Sequence, residues 1–141
     1  MTDDNIEPQS FPITLMRVFF TRSAIMAVPQ HTPGAQFSIT PENKIDVTRV
    51  GEESHYVATM QTSFNQACDP SAPYVIDIEC VGIFSTALPM EEAVRGITIT
   101  AHNVLYGAIR EAVSWITGRH VYGTLTFGLS ILKPKRPDKE E

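Results

Sequence analysis

The chain has 141 residues, of which 43% are hydrophobic, and its formal net charge at pH 7 is −5. This size suits one globular domain with a core of its own. With 11 Lys and Arg against 16 Asp and Glu, the composition argues against a nucleic-acid partner, because phosphate binding needs clustered positive charge. No apolar run approaches the roughly 20 residues of a transmembrane helix, and the acidic N-terminus differs from a signal peptide. We therefore expect a cytoplasmic protein without membrane insertion.

The sequence carries no recognisable catalytic or metal-binding motif. Cys68 and Cys80 are separated by eleven residues, with no CxxC or HxxxH pattern nearby, so we predict two reduced structural thiols and no metal site. We find no GxSxG, P-loop, GxGxxG, HExxH or kinase signature, and the four histidines are scattered singly. These observations predict a protein that is not an enzyme and that needs no cofactor.

In chain order, the first predicted element is a strand. Residues 1–10 are predicted to be disordered, residues 11–132 to form the domain, and residues 133–141 to be a disordered charged tail. The apolar run Phe11–Phe20 predicts a strand. The segment Arg22–Asn43 contains three prolines and a glycine, which predicts a long crossing loop, and its apolar residues indicate more than a linker.

Three further strands are predicted at Lys44–Val50, Tyr56–Gln66 and Tyr74–Thr86, separated by turn-forming residues. The short connections favour an antiparallel meander. Alternation in the third strand places its core residues on one face and leaves the other face partly wet. The predicted core residues of that strand are Tyr74, Ile76, Ile78 and Cys80.

Helical periodicity dominates the C-terminal third. Pro89, followed by Glu91 and Glu92, predicts the start of a weak helix. A strong helix is then predicted at Asn103–Gly118, with Asn103 as N-cap and Gly118 as a left-handed C-terminal residue. Its apolar stripe is too wide for one small sheet to cover, which indicates a partner subunit; the stripe comprises Val104, Leu105, Ala108, Ile109, Ala112, Val113 and Ile116, with Arg110, Glu111, Ser114 and Thr117 opposite.

Beyond this helix, Thr124–Leu132 alternates apolar and polar residues and predicts a strand or an extended arm. Exposed apolar grooves rimmed by charge usually bind polypeptide or another subunit. The same apolar residues would equally serve to complete the core of a monomer.

Several short motifs occur in one order along the chain. Met16–Thr21 leads to a proline-containing loop, Pro41–Val47 follows with the pattern Pro-Glu-x-Lys-hydrophobic-Asp, and Gly82–Ser85 ends a strand before Asn103–Tyr106 and then Arg110-Glu111. In order and spacing these motifs resemble the SecB export-chaperone family, over about residues 11–132. The resemblance implies an α+β fold in which helices pack on one face of a four-stranded antiparallel sheet.

The family resemblance also implies assembly and function. It implies a homotetramer, a dimer of dimers, with the long helix between dimers and Leu105, Ile109, Val113 and Ile116 at the interface. Family members hold unfolded polypeptides and preproteins in apolar grooves without ATP and pass them to the translocation motor ATPase SecA. The residues that we expect to bind such clients are Phe37, Ile39, Leu125, Phe127 and Leu129.

Docking of the motor ATPase is expected at Val75 and Asp77, where Asp77 matches an acidic strand position of the family. The chain departs from the family at the acidic positions of the first loop, which are Ser23 and Ala27 here. It also has the charged tail 133–141 in place of the family's C-terminal helix and motor-binding segment.

Two alternatives remain. A SecB-like chaperone can be dedicated to one partner, such as the antitoxin of a toxin–antitoxin system. A hot-dog-like hydrolase also wraps a sheet around a long helix, and would use Asp46, His55 or His102 as a base. Element order counts against the hydrolase, because that fold places its long helix early and here the helix comes late.

Overall fold

In the computed structural model, residues 12–51, 54–130 and 132 are described. Within them, four strands precede one helix, and the strands form a single antiparallel sheet in the order β1-β4-β3-β2. The predicted α+β architecture is confirmed, with one long helix as the helical cover of the sheet. The elements are β1 (Ile13–Ala27), β2 (Glu42–Val50), β3 (His55–Phe64), β4 (Tyr74–Thr86) and α1 (Met90–Thr117). The predictions of disorder for residues 1–10 and 133–141 lie outside the described residues.

The predicted meander of β2, β3 and β4 is present, and β4 has the predicted bounds. The turn between β3 and β4 begins at Asn65, whose backbone φ of 58° lies in the left-handed region that asparagine tolerates. The Asn65 side chain closes this turn by accepting a hydrogen bond from the Asp69 N–H at 2.8 Å. Strand β1 then pairs with the other edge of β4.

Strand β1 continues further than the sequence indicated. Its pairing with β4 runs from Ile13 opposite Thr86 to Ala27 opposite Tyr74, with two register shifts. The predicted loop start at Arg22 is therefore wrong, and Ser23 and Ala27 lie in a strand instead of a loop. The reason is that the first proline after Thr21 occurs only at position 29, so no proline before it prevents pairing with the centre of the sheet.

Helix α1 is one continuous helix of 28 residues, and the predicted start at Asn103 is wrong. Pro89 occupies the N-cap position, and Glu91 and Glu92 lie in the first turn, where carboxylates favour the positive end of the helix dipole. The β-branched run 97–100 stays helical because burial overrides its weak propensity; the buried residues of this part are Ala93, Ile97 and Ala101. Gly118 ends the helix with φ −62°, so the predicted left-handed conformation is wrong as well.

Two glycines let α1 lie close to the sheet. A Cβ at Gly82 in β4 would lie 2.7 Å from the Phe84 ring and 3.2 Å from Leu105 of the helix. A Cβ at Gly96 would lie 3.1 Å from the Ile13 side chain of β1. Side chains at these positions would push helix and sheet apart, so the missing Cβ atoms set the spacing of the two layers.

The core lies between α1 and the helix-facing side of β3 and β4. The predicted core residues of β4 are all fully buried, and burial raises the pKa of the Cys80 thiol to about 11. The helix contributes Leu105, Ile109 and Val113, each fully buried. These three residues were expected at a subunit interface, and in the single chain they lie against its own sheet. Ile116, the fourth, is half-buried.

Candidate functional site

A groove opens between the loop 28–41 and the turn that joins β3 to β4. Its volume is about 460 Å³, and its apolar wall is formed by Phe37 and Phe64. Polar groups form the rest of the lining, among them Asn65 and Asp69, and hydrogen bonds from Ser71 lower the pKa of the Asp69 carboxyl. The groove therefore combines an aromatic wall with a polar rim, which suits a polypeptide segment.

The start of the loop is held in place by backbone contacts. The Val28 N–H donates to the Pro73 carbonyl at 2.8 Å, and the Thr32 N–H donates to the Pro70 carbonyl at 2.9 Å. Tyr122, which follows the helix, donates its hydroxyl to the Val28 carbonyl at 2.9 Å. These bonds fix the loop at the end of the sheet and direct Phe37 toward the core.

Three phenylalanines from three segments form an aromatic row. The ring centroids of Phe37 and Phe64 are 6.3 Å apart, and those of Phe64 and Phe127 are 5.4 Å apart. Both separations fall in the range of favourable aromatic pairs. The row joins the loop, the end of β3 and the segment that follows the helix into one apolar cluster.

That last segment, residues 124–130, is the extended arm. Its alternate side chains Leu125 and Phe127 are buried in the core, whereas Leu129 is 86% exposed. Within the part of the chain that the structure describes, the arm is not a strand of the sheet. The alternating burial of residues 124–128 agrees with the predicted extended segment, and Leu125 and Phe127 complete the core.

A row of helix side chains holds the arm, and we call it the polar ladder: His102, Tyr106, Arg110 and Ser114, spaced four residues apart. The Tyr106 hydroxyl donates to the Gly128 carbonyl at 2.7 Å, and Arg110 Nε donates to the Phe127 carbonyl at 2.8 Å. Ser114 Oγ lies 3.0 Å from Thr126 Oγ1, and His102 Nε2 lies 3.1 Å from Ser130 Oγ. One turn further, the Leu125 N–H donates to Thr117 Oγ1 at 2.8 Å.

The spacing of this ladder is visible in the sequence, although the apolar pattern of the helix obscures it. Residues four apart lie on one ridge of a helix, so hydrogen-bonding side chains at positions 102, 106, 110 and 114 mark a second functional edge beside the apolar stripe. Arg110, Ser114 and Thr117 were predicted to lie opposite that stripe. Instead Arg110 and Ser114 contact the arm, and Thr117 is fully buried.

A smaller cavity of about 120 Å³ connects the loop to the arm. It is lined by Ile39 and Pro41 from the loop end, by Tyr106 of the helix, and by Leu129 and Ser130 of the arm. Of the predicted client-binding residues, Phe37 and Phe127 lie in the aromatic row, Ile39 and Leu129 lie at this cavity, and Leu125 is buried in the core. Their role in binding stays a prediction.

The residues proposed as hydrolase bases are not brought together. Asp46 and His55 lie on the sheet face opposite the helix, whereas His102 is buried on the helix. The His102 ring stacks on Tyr106 with centroids 5.9 Å apart, and among the described residues its Nδ1 has no hydrogen-bond partner. Among these residues no group of three or more His, Cys, Asp or Glu side chains is placed to hold a metal.

The expected motor-docking residues, Val75 and Asp77, lie on the outer face of β4. Asp77 forms an ion pair with Arg22 of β1 at 3.1 Å, and this pair raises the pKa of the Arg22 guanidinium. Next along the strand, hydrogen bonds from Gln61 and Thr21 lower the pKa of Glu79. Side-chain bonds thus connect β4 to both neighbouring strands on this face.

Two apolar surfaces of the described chain are not covered. Leu15 and Phe20 of β1 pair with Phe84 and Cys80, so they share the helix-side face of the sheet, yet they are 45% and 40% exposed. On the far side of α1, Trp115 is 61% exposed, with the Arg119 guanidinium 3.8 Å from its ring centroid. No helix in the described ranges combines the length and the apolar character needed to cross a membrane.

Comparison with solved structures identifies the fold. The SecB-like chaperone Rv1957 of Mycobacterium tuberculosis, in complex with a ChAD peptide from the Rv1956 HigA1 antitoxin, superposes with a TM-score of 0.61 at 21% identity, covering 89% of this chain and 94% of that one. A protein of unknown function from Streptococcus agalactiae has a TM-score of 0.57 at 11% identity, covering 86% and 100%. No protein-family model matches the chain, and neither does any curated protein. The chain has the SecB-like fold.

Proposed function

We propose that this chain is an ATP-independent chaperone that holds unfolded polypeptides in the region between the loop 28–41 and the extended arm. The observation that carries the proposal is the aromatic row of Phe37, Phe64 and Phe127 beside an open groove. It occurs in a fold shared with a chaperone whose structure was solved with a bound peptide. The client would be a newly made chain in the cytosol, including preproteins before export.

The groove suits clients without a fixed sequence. Burying apolar surface contributes about 25 cal/mol per Å² whatever the sequence that supplies it. Several such contacts along one segment add up, and repeated segments of a long client increase the effective affinity further. Ile39 and Leu129 are exposed apolar side chains at one end of this region, where a client can make its first contacts.

The proposal is tested by suppression of aggregation. Equimolar protein without ATP is expected to keep several unrelated denatured polypeptides soluble, and the double variant Ile39→Asp/Leu129→Asp is expected to lose most of that effect. Val121→Asp is the matched control, since Val121 is 75% exposed and lines neither cavity. Failure of the wild-type chain with every client would contradict the proposal, and equal loss in the control would place the binding surface elsewhere.

A dedicated chaperone is the second candidate, and one observation favours it: the Mycobacterium tuberculosis protein of the same fold was solved with an antitoxin peptide. In that case the chain would stabilise a single co-expressed partner. Capture of bound polypeptides by the tagged full chain, followed by mass spectrometry, separates the two. One dominant partner supports dedication, whereas a broad set of apolar segments supports general holding.

Delivery to the motor ATPase SecA would use the outer face of β4 at Val75 and Asp77. A cationic group of the motor would have to compete with Arg22 for the Asp77 carboxylate. Asp77→Asn is expected to weaken binding of SecA without changing aggregation suppression, because Asp77 lies on the sheet face away from the helix. Unchanged SecA binding in this variant would remove the docking assignment.

We also propose that the chain assembles as a homotetramer through its uncovered apolar surfaces. Within the described residues, edge strand β1 has no strand partner on its outer side, where it carries Leu15 and Phe20, and the far side of α1 offers Trp115. Native mass measurements should give a tetramer that Phe20→Glu or Trp115→Glu reduces to smaller species. A wild-type monomer at micromolar concentration would contradict this assembly.

A further inference from the structure

The polar ladder and the arm match each other step by step, in opposite directions. As the helix position rises through 102, 106, 110 and 114, the arm position falls through 130, 128, 127 and 126. Two of the four contacts are made to backbone carbonyls, by Tyr106 and Arg110. A donor that bonds to a backbone carbonyl tolerates any side chain at that position, so these contacts recognise an extended backbone and not a particular sequence.

The side chains of the arm are also bound in the way expected of an extended peptide. Leu125 and Phe127, two residues apart, point into apolar sockets, whereas Thr126 and Gly128 between and after them are exposed. Across the described residues, no backbone–backbone hydrogen bond joins 124–130 to another segment. An extended segment held by carbonyl contacts and alternate apolar anchors is the bound form expected of an unfolded client.

We infer that the arm is a resident peptide occupying the client site, and that an unfolded segment with two apolar side chains two residues apart replaces it on the polar ladder. This inference rests on the proposed chaperone function and names the surface and the regulation of that site. Leu125 and Phe127 then occupy the site in the empty chaperone. The walls that a client meets are Tyr106, Arg110, Ser114 and the Phe37–Phe64 pair.

The covalent link gives the arm a competitive advantage. A tethered segment acts at an effective concentration on the order of millimolar, so a client must bind more tightly than the arm or offer several matching segments. The apparent affinity of a client equals its intrinsic affinity multiplied by the fraction of molecules whose site is open. The arm therefore sets a threshold that folded proteins and short polar segments do not pass.

A reversible disulfide between α1 and the arm tests whether a client replaces the arm. Ser114 Oγ and Thr126 Oγ1 are 3.0 Å apart, so cysteines at both positions are placed to form a disulfide of about 2 Å. The full chain carries Ser114→Cys and Thr126→Cys in a Cys68→Ser background, because Cys68 is exposed and Cys80 is buried. The probe is fluorescent, carboxymethylated α-lactalbumin, which stays unfolded and has no free thiol. Binding is measured by anisotropy before and after reduction.

We expect the oxidised form to bind the probe at least tenfold more weakly than the reduced form, while each single-cysteine variant is insensitive to oxidation. Equal affinity of the two forms overturns the inference and leaves the proposed function standing. A wild-type chain that binds no probe overturns both.

A second measurement does not depend on this disulfide. A spin label at Thr126→Cys in the Cys68→Ser background is expected to become mobile when the probe is added, whereas a label at Lys44→Cys on the outer face of β2 is not. An immobile label at position 126 in the presence of bound probe overturns the inference.

Discussion

Strand β4 and the extended arm are both extended, and both send alternate apolar side chains into the same core, yet they are bound differently. Strand β4 exchanges backbone hydrogen bonds with β1 on one side and β3 on the other. The arm is held by side chains of α1, through the polar ladder and Thr117. Two backbone ladders open only when the sheet comes apart, whereas side-chain contacts on a helix can be released segment by segment. We therefore distinguish a permanent strand, β4, from an exchangeable extended arm.

The largest expected difference concerns one phenylalanine from each segment, Phe84 in β4 and Phe127 in the arm, both fully buried. Phe84→Ala should lower the free energy of unfolding by about 3–5 kcal/mol, as for other buried phenylalanines. Phe127→Ala should cost about 1–3 kcal/mol, because the loss cannot exceed the free energy of docking the arm. Urea unfolding followed by circular dichroism, at one fixed protein concentration, measures both. Equal losses would mean that the arm is as permanent as β4.

A smaller effect is expected at the hydroxyl that accepts the Leu125 N–H. Thr117→Val keeps the shape of this buried side chain but removes the acceptor. The Leu125 amide then lacks a partner when docked, which should make opening of the arm easier by about 1–2 kcal/mol. Hydrogen exchange at Leu125 should accelerate roughly tenfold, while the amides of β4 keep their protection.

The matched control for that change is Thr62→Val in β3. Thr62 is also fully buried and donates to Asn43 Oδ1 at 2.7 Å, but it lies within the sheet. It should leave Leu125 exchange unchanged. Faster exchange at Leu125 in both variants would mean that arm and sheet open together.

The smallest expected effect is on the pH dependence of the free energy of unfolding, to which Glu79 on the outer face of β4 contributes. Hydrogen bonds from Gln61 and Thr21 lower the pKa of Glu79. A lowered pKa contributes stability above the unfolded-state pKa of about 4.3, and this contribution is lost as the pH falls through the folded-state pKa. Gln61→Leu removes the main cause, so the Glu79 pKa should rise and the stability should depend less on pH in this range.

Carboxyl chemical shifts followed by NMR give the Glu79 pKa, and urea unfolding between pH 3 and 6 gives the stability. Thr48→Val, on the same face but without a bond to Glu79, is the control. The Leu125 exchange rate should be the same in the Gln61 variant and the wild type at each pH. A change there would couple β4 to the arm and weaken the distinction between them.

Local patterns predicted the strands better than the helix or the arm. The bounds of β4 follow from its alternation and from the turn residues before it, and the meander follows from short connections. The start of α1 could not be predicted, because Gly96 and the β-branched run 97–100 have low helix propensity. Packing on the sheet outweighs this low propensity. The end of β1 could not be predicted either, since its pairing partners lie about fifty residues away in the sequence.

The sequence indicated the alternation of the arm but not what holds its backbone. Alternation indicated an extended arm with Leu125 and Phe127 on one side, and both do point to the core. Alternation does not show which groups form hydrogen bonds with the backbone of the arm, because an unpaired extended segment and a strand have the same side-chain period. Only the position of the arm against α1 reveals that Tyr106 and Arg110 replace a neighbouring strand.

The most direct test of the exchangeable arm is hydrogen exchange of the full chain with and without a saturating unfolded polypeptide. Amide protection should fall in residues 124–130 when the client binds, while β4 and the sheet-facing half of α1 keep theirs. Bound client with an equally protected arm would mean that the client does not replace the arm, and a loss of protection shared by β4 would mean that the arm is not released separately.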